Sequence, residues 1–566
     1  MSENAALTRA DLLITNARIY TGDPANPWAR DMAVQDGRVL AVGDAADVAA
    51  SVAAAVSPSG VSEPVAVRDL AGAFVMPGFV DVHNHHALAG KSDLYELSFS
   101  LEASLDEVLE IVRTYAAGRD ADDWIIGSSW GTGLLGQLSH ESARHRLDEA
   151  AGGRPVILTD DSHHNRWVST RALELAGITT ASTNPPGGVI VRDPATGAPS
   201  GVLLEAACLP VEEAVTRTLT FTAEQHERSS ERGIAIAHSY GITAFQDAAI
   251  SLPGMRALKS LDDQGRLAAW VVSSMTINDQ IFGYAEVGDE LIAHGEENRS
   301  EHHRPDFVKI FLDGVPPAHT GAFLEPYIET AEHGAHFCGG TTMSADELMD
   351  WLRRCAEKGL SAKIHCTGDA AVRLVLDAVE TLRGDGFTDV RFQIAHGQFI
   401  SNVDLPRLAE LDVSADISPF LWFPGVIADA LGAVRPADQV EAMQPNRSLI
   451  DSGALVAGGS DWPVSETPNA WEGIQGLVTR ADPSGNRPGT LGAAEAITLA
   501  EAIAVFTINA ATAMGLDDTI GTLEPGKSAD FLVLDRNPFE SAESALVQTR
   551  IDETWFAGRA VFARHP

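Results

Sequence analysis

Six side chains in this sequence have the type and placement to hold a metal ion and to move a proton beside it. In AGAFVMPGFVDVHNHH, residues 71–86, an apolar run ends in His83 and His85. Side chains at i and i+2 of a strand share one face, so two imidazoles spaced this way can grip one ion. Four further apolar runs carry a ligand-type residue near their ends: FVKIFLDG with Lys309, SAKIHCTGD with His365, RFQIAHGQ with His396 and ALVAGGSDWPV with Asp461. One buried histidine is usually structural, whereas five strand ends in series point to one shared site. Imidazole and carboxylate donors without thiolates suit Zn²⁺ or a similar divalent ion and leave coordination positions for water. A protonated Lys309 in so apolar a run would be costly to bury unpaired. Either its ammonium pairs with a carboxylate such as Asp313 or Asp461, or its amine combines with CO₂ to give a carbamate, an anionic ligand able to bridge two ions.

Strands must position these groups. Beside the run that ends in His83 and His85, seven more read as strands: 241–248, 267–275, 306–313, 360–366, 391–396, 411–418 and 454–461. Helical patterns such as SADELMDWLRRCAEKG, AAVRLVLDAVETLRG and DLPRLAELD separate several of them. Alternating strands and helices argue for a parallel sheet, and eight such units close into a (β/α)₈ barrel whose chemistry sits at the C-terminal strand ends. Each ligand-type residue falls at such an end. Cys366, next to His365, is turned away by strand alternation. The stretch 87–240 is too long for one crossover helix and predicts an insertion over the barrel mouth, a lid that carries much of the specificity. At the N-terminus, short alternating strands with an Asp36-Gly37 hairpin signal predict a small β unit. IGTLEPGKSADFLVLDRNP and IDETWFAGRAVFARHP carry the same pattern at the other end. Neither half is large enough to bury a core alone. The expected organisation is a composite β-sandwich from 1–75 and 513–566, with the barrel over 76–512.

Composition narrows the function classes. The 566 residues leave room for a barrel and a second domain. A formal net charge of -39 opposes nucleic acid and anionic membranes as partners. The four cysteines (208, 338, 355, 366) lack CxxC spacing, which favours a reducing compartment and no thiolate cluster. The N-terminal MSENAALTRADLL has no basic region followed by an apolar core, and no run is long enough to span a membrane. A soluble cytoplasmic enzyme is the expectation, and a homodimer is compatible with it.

The motifs PGFVDVHNHH, VKIFLDG, KIHCTGDAAV, IAHGQFI and GGSDWPV, followed by TLAEAIAVFTINAATAMG and GTLEPGKSADFLVLD, resemble the metal-dependent amidohydrolases. Within them they are similar to the amidohydrolase 3 group, the YtcJ-like branch that includes N-substituted formamide deformylases. DSHHNRWVSTRALELAGI and GAPSGVLLEAA extend the resemblance through the insertion. It implies two divalent ions, with the carbamate form of Lys309 between them. His83, His85 and Asp461 would hold one ion, His365 and His396 the other, and a bridging hydroxide would attack a non-peptide amide or formamide. Asp461 would then be the general acid and base. Trp130, His163, His164 and His319 lie on loops expected above the barrel mouth and are candidate substrate contacts. His86, which faces away from His85, is a further one or a support for the ligands. Alternatives are a cyclic amidine or lactam hydrolase, or a mononuclear deaminase of the same superfamily; for a deaminase the HxxE glutamate is missing, since CTGD follows His365. A non-catalytic metal-binding regulator is the remote alternative.

Overall fold

Residues 11–54, 65–120 and 122–564 are described by a computed structural model of the chain. The eight runs read as barrel strands form strands largely buried on both faces, as a parallel sheet covered by helices requires. They are β1 (Phe79–Asn84), β2 (Ile242–Ile250), β3 (Trp270–Thr276), β4 (His303–Phe311), β5 (Ser361–Cys366), β6 (Phe392–His396), β7 (Val413–Ile417) and β8 (Val456–Gly458). Each pairs in parallel with the next, so the sheet follows chain order from β1 to β8. No ladder joins β8 to β1. Two backbone hydrogen bonds cross that seam, Asp461 N–H to His83 O at 2.7 Å and His85 N–H to Trp462 O at 2.8 Å, and Ser460 adds two more by donating from N–H and Oγ to the Asp81 carboxylate at 3.0 and 2.6 Å. Gly459 permits the approach, because a Cβ there would stand 2.4 Å from His83 Cβ.

Alternation along the strands separates two environments. Ile364 and Cys366 on β5 join the apolar core beneath the helices, together with Val372 and Val375. Lys363 and His365, one residue out of step, lie on the opposite face. The covering helices start where their caps dictate: Ala345–Glu357 opens on a reciprocal Ser344/Glu347 capping box. Asp369–Gly384 and Leu405–Glu410 cover the patterns read as helical in the sequence.

Between β1 and β2, residues Leu97–Glu205 carry a mixed six-stranded sheet with its own apolar core around Trp130, Leu158 and Trp167. The helix Ala223–Ser239 then returns to the barrel and packs on His86–Tyr95. Gly90 and Gly233 let these helices meet, since a Cβ at either would fall within about 2 Å of the other helix's backbone. The two termini form sheets of four and six strands. In the larger one, Phe531–Leu534 runs antiparallel to Phe74–Pro77. Ile14, Met32 and Val34 of the smaller sheet share one core with Val75, Phe531 and Trp555 of the larger. The Asp36-Gly37 turn has positive φ at both residues, 51° and 76°, as the hairpin signal required. The first ten residues, part of the stretch examined for a leader, and the final His565 and Pro566 lie outside the described residues. Among the described residues no helix is long and apolar enough to cross a membrane.

Candidate metal centre

His83 on β1, Lys309 on β4, His365 on β5 and His396 on β6 meet at the C-terminal mouth of the barrel, with His85 just beyond β1 and Asp461 three residues beyond β8. All six line one small cavity. His396 and Asp461 sit where the backbone leaves its strand in the left-handed region, at φ 70° and 56°. Non-glycine residues held there cost about 1–3 kcal/mol each, a strain that the hydrogen bonds of the barrel rim must sustain. The ligand atoms of His83, His396 and Asp461 lie within 4.8 Å of one another. His83 Nε2 is 3.4 Å and His85 Nε2 3.5 Å from Asp461 Oδ1. The His365 and His396 rings are 4.7 Å apart between centroids.

Three imidazoles are anchored through Nδ1: His83 on Asp416 Oδ2 at 2.8 Å, His365 on Asp313 Oδ1 at 3.2 Å, and His396 on Ser418 Oγ at 3.2 Å. An imidazole that donates through Nδ1 keeps its lone pair on Nε2, the arrangement that metal-binding histidines use. Burial lowers the pKa of all three, and drives His83 and His396 well below the ordinary imidazole value. Burial opposes ionisation of Asp461, but His83, His85 and His396 outweigh it and hold the carboxyl well below its usual range. His85 Nδ1 is buried with no hydrogen-bond partner. Neutral imidazoles beside an ionised carboxylate, with one nitrogen orphaned, fit a divalent cation.

Asp313 and Asp416 do the anchoring, and neither strand-end counting nor the HxH spacing singled out Asp416. Asp313 also accepts from the backbone amides of Thr367 at 2.9 Å, Gly368 at 2.9 Å and Ala322 at 3.0 Å. It is fully engaged without Lys309. Asp416 carries the ion pair of the barrel interior, but its partner is Lys363, two residues before His365. Burial pushes both towards neutrality, Lys363 downward and Asp416 upward. Among the described residues no carboxylate lies within ion-pair distance of Lys309, so the pairing with Asp313 or Asp461 considered from the sequence is not formed. Lys309 is 1% exposed, its Nζ stands 4.8 Å from the Phe311 ring centroid, and burial with the nearby Lys363 brings it down to about 8.

The four expected substrate contacts divide. His163 and His164 line the cavity. His164 Nδ1 is 2.8 Å from Glu205 Oε2, and its ring centroid is 5.7 Å from that of His365. Glu205, absent from the sequence reading, also accepts from Thr320 Oγ1 at 2.8 Å. Burial takes His163 down to about 3. Trp130 is elsewhere: it is 1% exposed inside the insertion's core, and its indole N–H donates to Leu158 O at 3.0 Å. His319 lines neither this cavity nor the larger one beside it; it stacks instead on His333 at 4.7 Å and lies tilted against Tyr327 at 5.0 Å. Neither is the loop contact above the mouth that the sequence suggests: Trp130 ends the strand Ile125–Trp130 and packs inward, and His319 joins an aromatic cluster. His86 is buried 3.0 Å from Asp247 and is not among the residues lining either cavity.

The larger cavity, of about 350 Å³, adjoins the small one through His85, His163 and Phe282 and is walled by both the barrel and the insertion.

Comparison with known proteins agrees with this architecture. The N-substituted formamide deformylase of Arthrobacter pascens is 29% identical over 97% of this chain and 97% of its own length. YtcJ of Bacillus subtilis (strain 168) is 28% identical over 88% of this chain and 90% of its own. An uncharacterized metal-dependent hydrolase from Pyrococcus horikoshii OT3 shares the fold, with a TM-score of 0.73 at 22% identity over 94% of this chain and 99% of that one. The model of the amidohydrolase family matches residues 66–562. That match starts ahead of β1 and ends beyond β8, taking in every strand that carries a site residue, and the chain belongs to the amidohydrolase family.

Proposed function

We propose that this chain hydrolyses a non-peptide C–N bond of the amide or formamide type at a centre of two divalent ions of the Zn²⁺ class. The observation that carries the reading is the anchoring of His83, His365 and His396 through Nδ1, which turns three neutral Nε2 lone pairs towards one cavity beside an ionised Asp461. His83, His85 and Asp461 would hold one ion and His365 and His396 the other. The Lys309 amine, brought down to about 8 by burial, is partly neutral near pH 7 and has no carboxylate within ion-pair distance among the described residues; the neutral amine is the form that would add CO₂ to give a carbamate and release a proton. Bound ions of this kind supply Lewis acidity, which activates water and polarises the scissile carbonyl. Asp461 takes the proton of the attacking water and delivers it to the leaving nitrogen. His163 and His164 orient the substrate, with Glu205 fixing the His164 ring, and the insertion roofs the cavity against bulk water. The formamide class is favoured by the likeness to the N-substituted formamide deformylase of Arthrobacter pascens.

The close trio of His83, His396 and Asp461 favours a second reading, one ion and deaminase-type chemistry. Metal-stripped and Zn²⁺-reloaded protein, assayed against formamides, other amides, lactams and cyclic amidines for release of amine, acid and ammonia, separates the two. Metal-dependent amine release from amides is expected. Ammonia from amidines, with amides left intact, contradicts the proposal.

A further inference from the structure

The larger cavity contains a polar floor that the chemistry at the metal centre does not use. Asp247, on β2, lines it at 3% exposure, and among the described residues the one hydrogen bond its carboxylate accepts is from Ala249 N–H at 3.2 Å. An ionised carboxylate offers about four acceptor positions. Behind it, His86 Nδ1 stands 3.0 Å from Asp247 Oδ2, yet neither ring nitrogen of His86 has an aligned hydrogen bond. Ser230 also lines the cavity, and its fully buried Oγ has no partner. Buried polar atoms without a protein partner are rare, and Asp247 and Ser230 face space that a water or a ligand group can fill.

Charge on the walls narrows what that is. Two cations line the cavity, and each is matched: Lys91 with Glu96 at 2.9 Å, Arg166 with Glu212. Asp247 and Glu286 remain without a cation of their own among the lining residues. The rest of the wall is largely apolar, with Phe282 stacked on Tyr284 at 5.1 Å and Phe221 further out. Low-dielectric walls around carboxylates that no lysine or arginine matches attract positive charge and repel negative charge, and aromatic faces favour a cation as well.

We propose that this cavity recognises the part of the substrate remote from the cleaved bond, and that it selects an apolar chain ending in a cationic head of the alkylammonium class, received by Asp247 and Ser230. The inference rests on the hydrolysis proposed above only in naming the ligand a substrate part; the binding itself does not depend on turnover. Substrates whose remote end is a carboxylate are excluded by the same groups.

Calorimetric titration of the metal-loaded protein with n-hexylammonium, 1-hexanol and hexanoate at physiological salt tests it. A hydrogen-bonded charge in a buried site predicts that hexylammonium binds at least about tenfold more tightly than hexanol, with hexanoate weakest. Asp247→Asn should bring ammonium and alcohol to within about twofold of each other, and Ser230→Ala should weaken ammonium binding about threefold, since a neutral hydrogen bond is lost. Retained metal content in both variants shows that the fold survives, and Ser230→Ala alone still decides if Asp247→Asn does not fold. Equal binding of ammonium and alcohol by the wild type, or an ammonium preference that survives both substitutions, overturns the inference. Amide hydrolysis without any ammonium preference leaves the proposed function standing and removes this inference; ammonium binding through Asp247 without amide hydrolysis does the reverse.

Discussion

Asp461 is the residue on which metal binding and proton transfer converge. It lies within 3.5 Å of His83 and His85 and keeps a backbone conformation that few non-glycine residues adopt. Asp461→Asn should preserve the fold and lower kcat by on the order of 10² or more, the usual cost of losing a general acid and base; steady-state kinetics on metal-loaded variant and wild type measure it, and unchanged turnover rejects the role. Trp130 makes the opposite case. Truncating a fully packed tryptophan costs about 3–5 kcal/mol, so Trp130→Ala should lower the melting temperature while leaving KM and metal content near wild type at low temperature. A changed KM with an unchanged melting temperature would return Trp130 to the substrate site. Residue types alone could not separate Trp130 from His164, because only packing shows that Trp130 closes the strand Ile125–Trp130 facing inward while His164 faces the cavity.

At the scale of elements, the site depends on how β8 is drawn against β1. β8 is a three-residue strand, Val456–Gly458, and the chain beyond it docks on His83 and His85 through backbone hydrogen bonds. Gly459→Ala forces a methyl into His83, so His83 must move. Overpacking of this kind costs about 1–3 kcal/mol, and the predicted signature is a lower melting temperature together with lost metal, read by elemental analysis of the purified variant. Full metal content in Gly459→Ala would show that the seam tolerates a shift. The eight strands were legible as apolar runs alternating with helical patterns, and five of them carry a ligand-type residue near the C-terminal end. The residues that aim those ligands were not legible. Asp416 sits in LDVSADIS with no spacing to mark it, and Lys363 is told apart from Lys309 only by its partner. Glu205 meets His164 across 41 positions of sequence.

For the whole molecule, the sheets built from both termini are tied to the barrel at Asp530. Its carboxylate accepts from Trp270 Nε1 of β3 at 3.1 Å, and from Ser528 Oγ and Ala557 N at 2.7 Å each. Burial outweighs these bonds and pushes the carboxyl from 3.8 up to about 6. The folded state therefore holds this proton more tightly than the unfolded chain does. Its contribution, about 2–3 kcal/mol for two pH units, is complete below about pH 4 and is lost as pH rises through about 6. Denaturation of wild type against Asp530→Asn should show a stability difference that changes between pH 4 and 6 and is flat above pH 7; a difference independent of pH contradicts the assignment. Matching turn chemistry at the two ends led to the expectation of one composite β-domain, and strands from both termini do share the six-stranded sheet; the contact with β3 depends on tertiary packing that no local pattern encodes. The central claim, a two-ion centre completed by Lys309, is tested most directly by counting divalent ions per chain in metal-loaded wild type and Lys309→Ala, with melting temperatures alongside. Two ions in the wild type, with one ion and most activity lost in Lys309→Ala, is the predicted result. Two tightly held ions in the variant, or full wild-type activity with a single ion, would contradict it.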